Sequence, residues 1–252
     1  MVRRRRSSGN ATNAKESPVT VYVPSAGEIT ASQAVAERLD EPTSKRPTPV
    51  WAALLFTFVA NMTAAVIAIG VFFVAETGFG FGARRNLILG LVMGVTYIAG
   101  ALAVGPALRT ASAKIDRITA RFVLGFLLVV MGLCSASMAL AHEGALGDRA
   151  AWIIWPAIGI CSVAMGGLWP IVESYVTGGR RGDDLRKVVG WFNVTWSVGI
   201  VLTAWIMAPA LKTANTALLL MLWTGVIQIA TCGLLALFSP YPAKEVHESN
   251  PH

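Results

Sequence analysis

The residues best placed to do chemistry are a few polar and aromatic side chains set inside long apolar runs. Ser162, Gly166, Trp169 and Glu173 are spaced by four, three and four, which puts them on one face of a helix. That face combines a hydroxyl, a gap, a ring and a carboxylate, a set suited to lining a cavity. Ionisable groups near membrane depth are costly, so Glu173 at the end of its run is a functional candidate. The alternative is a carboxylate at the membrane interface, neutralised by Arg180, Arg181 or Arg186. Other runs carry weaker faces: Thr57 and Asn61 continuing to Ala64 and Ala68; Asn193, Trp196, Ile200 and Thr203; and Thr224, Gln228 and Thr231. Such residues either contact a solute or hydrogen-bond between helices.

Catalytic patterns are missing from the same runs. Asp116, Asp148, Asp183 and Asp184 all lie in connections, so there is no pair of intramembrane aspartates. His142-Glu143 is followed by Gly144 and forms no HExxH zinc motif; His247 and His252 stand in the tail. No GxSxG, P-loop or dinucleotide pattern occurs. Cys134, Cys161 and Cys232 are scattered without a CxxC pair, so neither zinc nor disulfides are indicated. The expectation is a protein that is not an enzyme and holds no cofactor or metal.

The elements that position these residues follow from composition. The chain has 252 residues, 54% hydrophobic and 14% charged, with a mean hydropathy of +0.59. Soluble chains carry about 25% charged residues, so this one cannot cover a water-facing surface. Six uncharged stretches are long enough to cross a bilayer, which takes roughly 20 helical residues: Trp51 to Ala75, Asn86 to Leu108, Phe122 to Leu140, Trp152 to Val172, Val188 to Leu211 and Asn215 to Phe238. Lipid leaves only helices and closed barrels as spanning structures, and these runs lack the alternation of barrel strands. The fold class is therefore all-α, a polytopic bundle of six transmembrane helices over residues 51–238. Short connections predict that consecutive helices are antiparallel neighbours. Gly90, Gly94 and Tyr97 stripe the second span in a pattern suited to close helix contact, and Pro170 should kink or loosen the fourth.

Seventeen of the 21 lysines and arginines precede Trp51 or fall in the second connection, the fourth connection and the tail. The positive-inside rule then places both termini in the cytoplasm; the expected location is the cell (inner) membrane. The net charge of +7 is a topology signal and gives no reason to expect nucleic acid as a partner. Residues 1–50 read as a disordered basic cytoplasmic tail, with a short helix from Glu28 to Leu39 as an option. The four arginines at its start are followed by no apolar run before Trp51, which rules out a signal peptide.

The fourth connection carries a familiar pattern. From Trp169 the chain reads WPIVESYVTGGRRGDDLRKVVGWFNVTWSVGI. It resembles the segment from the fourth to the fifth helix of the major facilitator superfamily, through Pro170, Glu173, Arg186, Gly190, Asn193, Trp196, Ser197 and Gly199. The loop GPALRTASAKIDRITAR departs from that family's GxLaDRxGRR, with Gly105, Asp116, Arg117 and Arg121 as loose equivalents. A Gly-Pro element after Gly199 and a buried acid in the first span are both missing, which speaks against proton-coupled drug export.

The resemblance implies an alternating-access carrier of a small-molecule solute. Asn61, Tyr97, Trp169, Asn193, Trp196 and Gln228 become candidate cavity residues, and Asp116, Arg117, Glu173 and Arg186 candidates for a cytoplasmic gate. Complete members of the family have two six-helix halves with the solute between them. This chain matches the first half, with residues 239–252 as a tail or the start of the linker. The expected partners are the bilayer, a solute, and a second half from a longer chain, a separate partner or a second copy. The rival reading is a membrane scaffold or assembly subunit that carries no solute.

Overall fold

The structure is a computed structural model that describes residues 48–115, 118–143 and 150–243. Residues 1–47 of the expected tail, with its optional helix, Asp116, Arg117, residues 144–149 and the last nine residues lie outside the described residues. Helix α1 spans Val50–Phe79, α2 Ala83–Lys114, α3 Ala120–Glu143, α4 Ala150–Thr177, α5 Gly182–Ala210 and α6 Ala214–Ala230. All six are long and apolar enough to cross a membrane, once α6 is taken with the 3-10 turn that follows it, Thr231–Leu237. The sixth span is therefore two kinds of helix, where one was expected. Helix α4 runs unbroken across Pro156 and Pro170.

Several helices begin earlier than their apolar runs, for local reasons. Helix α5 starts six residues before Val188, with Asp183 and Asp184 in its first turn. Carboxylates there oppose the positive end of the helix dipole, and Arg186 pairs with Asp183 at 3.2 Å on the exposed side. Helix α6 is capped by Thr213, whose hydroxyl accepts the Thr216 N–H at 3.3 Å. Helix α1 follows the Pro49 break and ends at Gly80, whose φ of 65° is the left-handed conformation that glycine tolerates best.

The expected packing of consecutive helices is not found. Of the consecutive pairs, α3 and α4 alone pack extensively; otherwise α1 packs on α5 and α6, α2 on α4, and α3 on α6. The helices thus form an arc in the order α2, α4, α3, α6, α1, α5, with α1 and α4 touching across its middle. A short loop fixes where two helix ends meet, but the close backbone approaches decide which helices lie side by side.

Those approaches are made at glycines other than the predicted ones. Nothing lies within 4 Å of a Cβ built on Gly94, and one on Gly90 meets only the Phe72 ring at 3.5 Å. A Cβ on Gly100 of α2 would instead sit 2.1 Å from the Val163 carbonyl of α4, and one on Gly166 of α4 2.1 Å from that of Tyr97. On the other wing, a Cβ on Gly199 of α5 would meet the Asn61 amide of α1 at 2.8 Å. At the back of the arc Gly132 of α3 and Gly225 of α6 face each other just as closely. With little hydrophobic drive between helices in lipid, this fit of small residues supplies the association.

The arc has an internal symmetry. Exchanging α1, α2 and α3 for α4, α5 and α6 maps the extensive contacts onto one another: α1 with α5 onto α4 with α2, and α1 with α6 onto α4 with α3. The starts agree as well, Val50 with Ala150, Ala83 with Gly182 and Ala120 with Ala214. A shift by three spans reverses direction, so the two triplets have inverted topology.

Candidate functional site

The wings α2 and α5 do not pack on each other, and the hollow between them is floored by α1 and α4. A cavity of about 230 Å³ lies there, lined by residues of all four helices, among them Asn61, Ile69, Tyr97, Trp169, Trp196 and Ile200. Four of the six predicted cavity residues meet in it. The symmetry accounts for two of them: Tyr97 stands one turn before the crossing glycine Gly100, and Trp196 one turn before Gly199. The two triplets thus bring equivalent rings to one place.

Asn61 is buried, and its amide donates to the Trp196 carbonyl at 2.8 Å. It ties α1 to α5 at the cavity wall and leaves the ring of Trp196 free to face inward. The rings of Trp169 and Trp196 lie 4.5 Å apart, tilted by 57°, and Phe192 backs Trp196 at 6.1 Å. Trp169 is buried, whereas Tyr97 is about one-third exposed. Replacing Asn61 with Ala removes the amide bond and should destabilise the bundle by about 1 kcal/mol. Thermal melting in micelles measures that loss.

Two predicted residues are placed elsewhere. Asn193 is exposed on α5, one turn ahead of Trp196, and does not line the cavity. Gln228 is fully buried between α6 and α3, donating to the Met131 sulfur at 3.5 Å. It belongs to the back of the arc, where α6 packs on α3. There Ser135 also donates to the Met221 carbonyl at 2.8 Å. Thr57, Thr224 and Thr231 likewise bond carbonyls of their own helices.

The gate candidates divide. Glu173 is exposed on α4, four residues beyond Trp169. Arg186 is taken by Asp183, the one ion pair among the described residues. Arg180 turns back onto the Tyr175, Val176 and Gly178 carbonyls at the end of α4. None of Arg180, Arg181 and Arg186 forms an ion pair with Glu173 among the described residues.

Sequence reading missed a polar clasp at the end of the bundle where Thr48 and Ser239 meet. The Thr48 and Ser239 hydroxyls lie 3.0 Å apart, and the Ser239 N–H donates to Thr48 at 2.9 Å. Tyr175 donates to the Ser239 and Pro240 carbonyls at 2.8 and 3.1 Å, and Arg121 to the Phe238 carbonyl at 3.2 Å. Phe238 also packs its ring against Phe56 and Tyr175. The segment leaving α6 is thereby fastened to α3, α4 and the entry to α1, partners that no spacing in the sequence connects. Tyr175→Phe removes the shared donor from a buried site and should lower stability by about 1–2 kcal/mol, read as a lower melting temperature.

No metal-binding group of His, Cys, Asp or Glu occurs among the described residues. Comparison with protein-family models, with curated proteins and with solved structures finds no significant match.

Proposed function

We propose that the chain is one six-helix half of a secondary carrier resembling the major facilitator superfamily, moving a small solute by alternating access. The observation that carries this reading is the hollow between α2 and α5, which gathers Asn61, Tyr97, Trp169 and Trp196 from four helices. Two inverted triplets support the family assignment, since transporter folds are commonly built from such repeats with the solute site at their junction. In this reading the hollow faces a second half, both chain ends lie in the cytoplasm of a cell membrane, and Glu173 and Arg186 stand on the cytoplasmic side of the solute.

The clasp at Thr48, Arg121, Tyr175 and Ser239 lets the half rock as one body. Flux in proteoliposomes tests the reading: a panel of sugars, amino acids and organic ions is offered under proton and sodium gradients. Flux that falls on Trp196→Ala supports the carrier. Absence of flux for every solute under every gradient supports the scaffold reading instead.

A further inference from the structure

The hollow selects a ligand chemistry as well as a place. Its walls carry the rings of Tyr97, Trp169 and Trp196, several aliphatic side chains and no basic residue. A carboxylate or phosphate entering it would find no positive charge. One N–H of the Asn61 amide is already committed to the Trp196 carbonyl, and the remaining donors of the lining are neutral. Aromatic faces attract cations through their ring quadrupole, indole most strongly, and two indoles here stand 4.5 Å apart. Glu173 follows Trp169 by one helical turn on the same face of α4. It is exposed and in no ion pair among the described residues.

We propose that this site takes an organic cation, a positively charged nitrogen on a small apolar or aromatic body. The charged nitrogen rests against Trp169 and Trp196, the apolar body fills the alanine-lined floor, and Glu173 supplies the opposing charge at the rim. The role of this ligand as cargo rests on the carrier reading; its binding does not.

The test uses the full chain purified in micelles and three probes of similar size: benzyltrimethylammonium, its neutral carbon isostere neopentylbenzene, and benzenesulfonate. Calorimetric titration should show saturable binding of the cation at least about tenfold tighter than the neutral isostere, with no binding of the anion. Glu173→Gln should weaken the cation about tenfold and leave the isostere unchanged, with Glu173→Asp restoring part of the loss. Trp169→Leu should weaken the cation as well. Binding of the anion or the isostere as tightly as the cation, no saturable cation binding, or full cation affinity in Glu173→Gln would each overturn the proposal. Proteoliposome flux separates the two readings. A cation that binds but never crosses defeats the carrier and leaves the ligand class standing. Trp196-dependent flux of an anionic or neutral solute, without cation binding, defeats the ligand class and leaves the carrier.

Discussion

Gly166→Ala is expected to destabilise the bundle by about 3 kcal/mol or more, a large loss for one added methyl group. The new Cβ would stand 2.1 Å from the Tyr97 carbonyl and 3.0 Å from the Ala101 nitrogen. Both are backbone atoms of α2 and cannot step aside as a flexible side chain does. Relief requires α2 and α4 to separate, which opens the largest helix contact and displaces Tyr97 from the hollow. Gly94→Ala and Gly105→Ala provide the controls, since nothing lies within 4 Å of either added Cβ. Alanine is a better helix former than glycine by about 1 kcal/mol, so those two variants should be neutral or stabilised. Thermal melting in micelles compares all three, and equal melting temperatures would contradict the crossing described above.

The second large effect is expected at the paired indoles. Trp169→Ala with Trp196→Ala removes both rings from the hollow, while the Asn61 bond to the backbone carbonyl of residue 196 survives. A lost ring contact is worth about 1.5 kcal/mol, so the double variant should reduce solute flux at least tenfold. Insertion into the membrane should be unchanged, because the glycine crossings that hold α2 to α4 and α1 to α5 are untouched. Asn193→Ala should have little effect, since that exposed residue is not part of the cavity lining. Flux unchanged in the double variant, or lost equally in Asn193→Ala, would remove the hollow from the solute path.

The sequence revealed spans and periodicity well and neighbours poorly. Uncharged length is a local property, so all six helices were legible, as was the shared face of Trp169 and Glu173. Which helices adjoin is not local. The contact of Gly100 with Val163, and of Gly199 with Asn61, joins residues from different triplets. A glycine stripe such as Gly90 and Gly94 looks the same in sequence whether or not a partner arrives. Gln228 was misplaced for a related reason: a polar face shows that a helix meets something, and α3 and a solute cavity both qualify. Tyr97 and Trp196 were legible as candidates, but their equivalence emerges only when the triplets are superposed by their contacts. The clasp was invisible because Thr48 and Ser239 lie at opposite ends of the bundle's sequence and carry no motif.

In the proposed carrier, the hollow between α1, α2, α4 and α5 holds water and solute, whereas the back of the arc faces lipid. Single cysteines test it directly in a variant with Cys134, Cys161 and Cys232 replaced. Ile69 and Ile200 line the hollow at 44% and 38% exposure, and Leu133 and Val226 lie on the back helices at 58% and 47%. All four are aliphatic and comparably exposed, so only the face differs. A membrane-impermeant maleimide applied to membranes opened to both sides should label Ile69→Cys and Ile200→Cys, and leave Leu133→Cys and Val226→Cys unreacted. Four equally unreactive cysteines would mean that the hollow is filled by lipid or by a permanent partner, and the carrier account would fail.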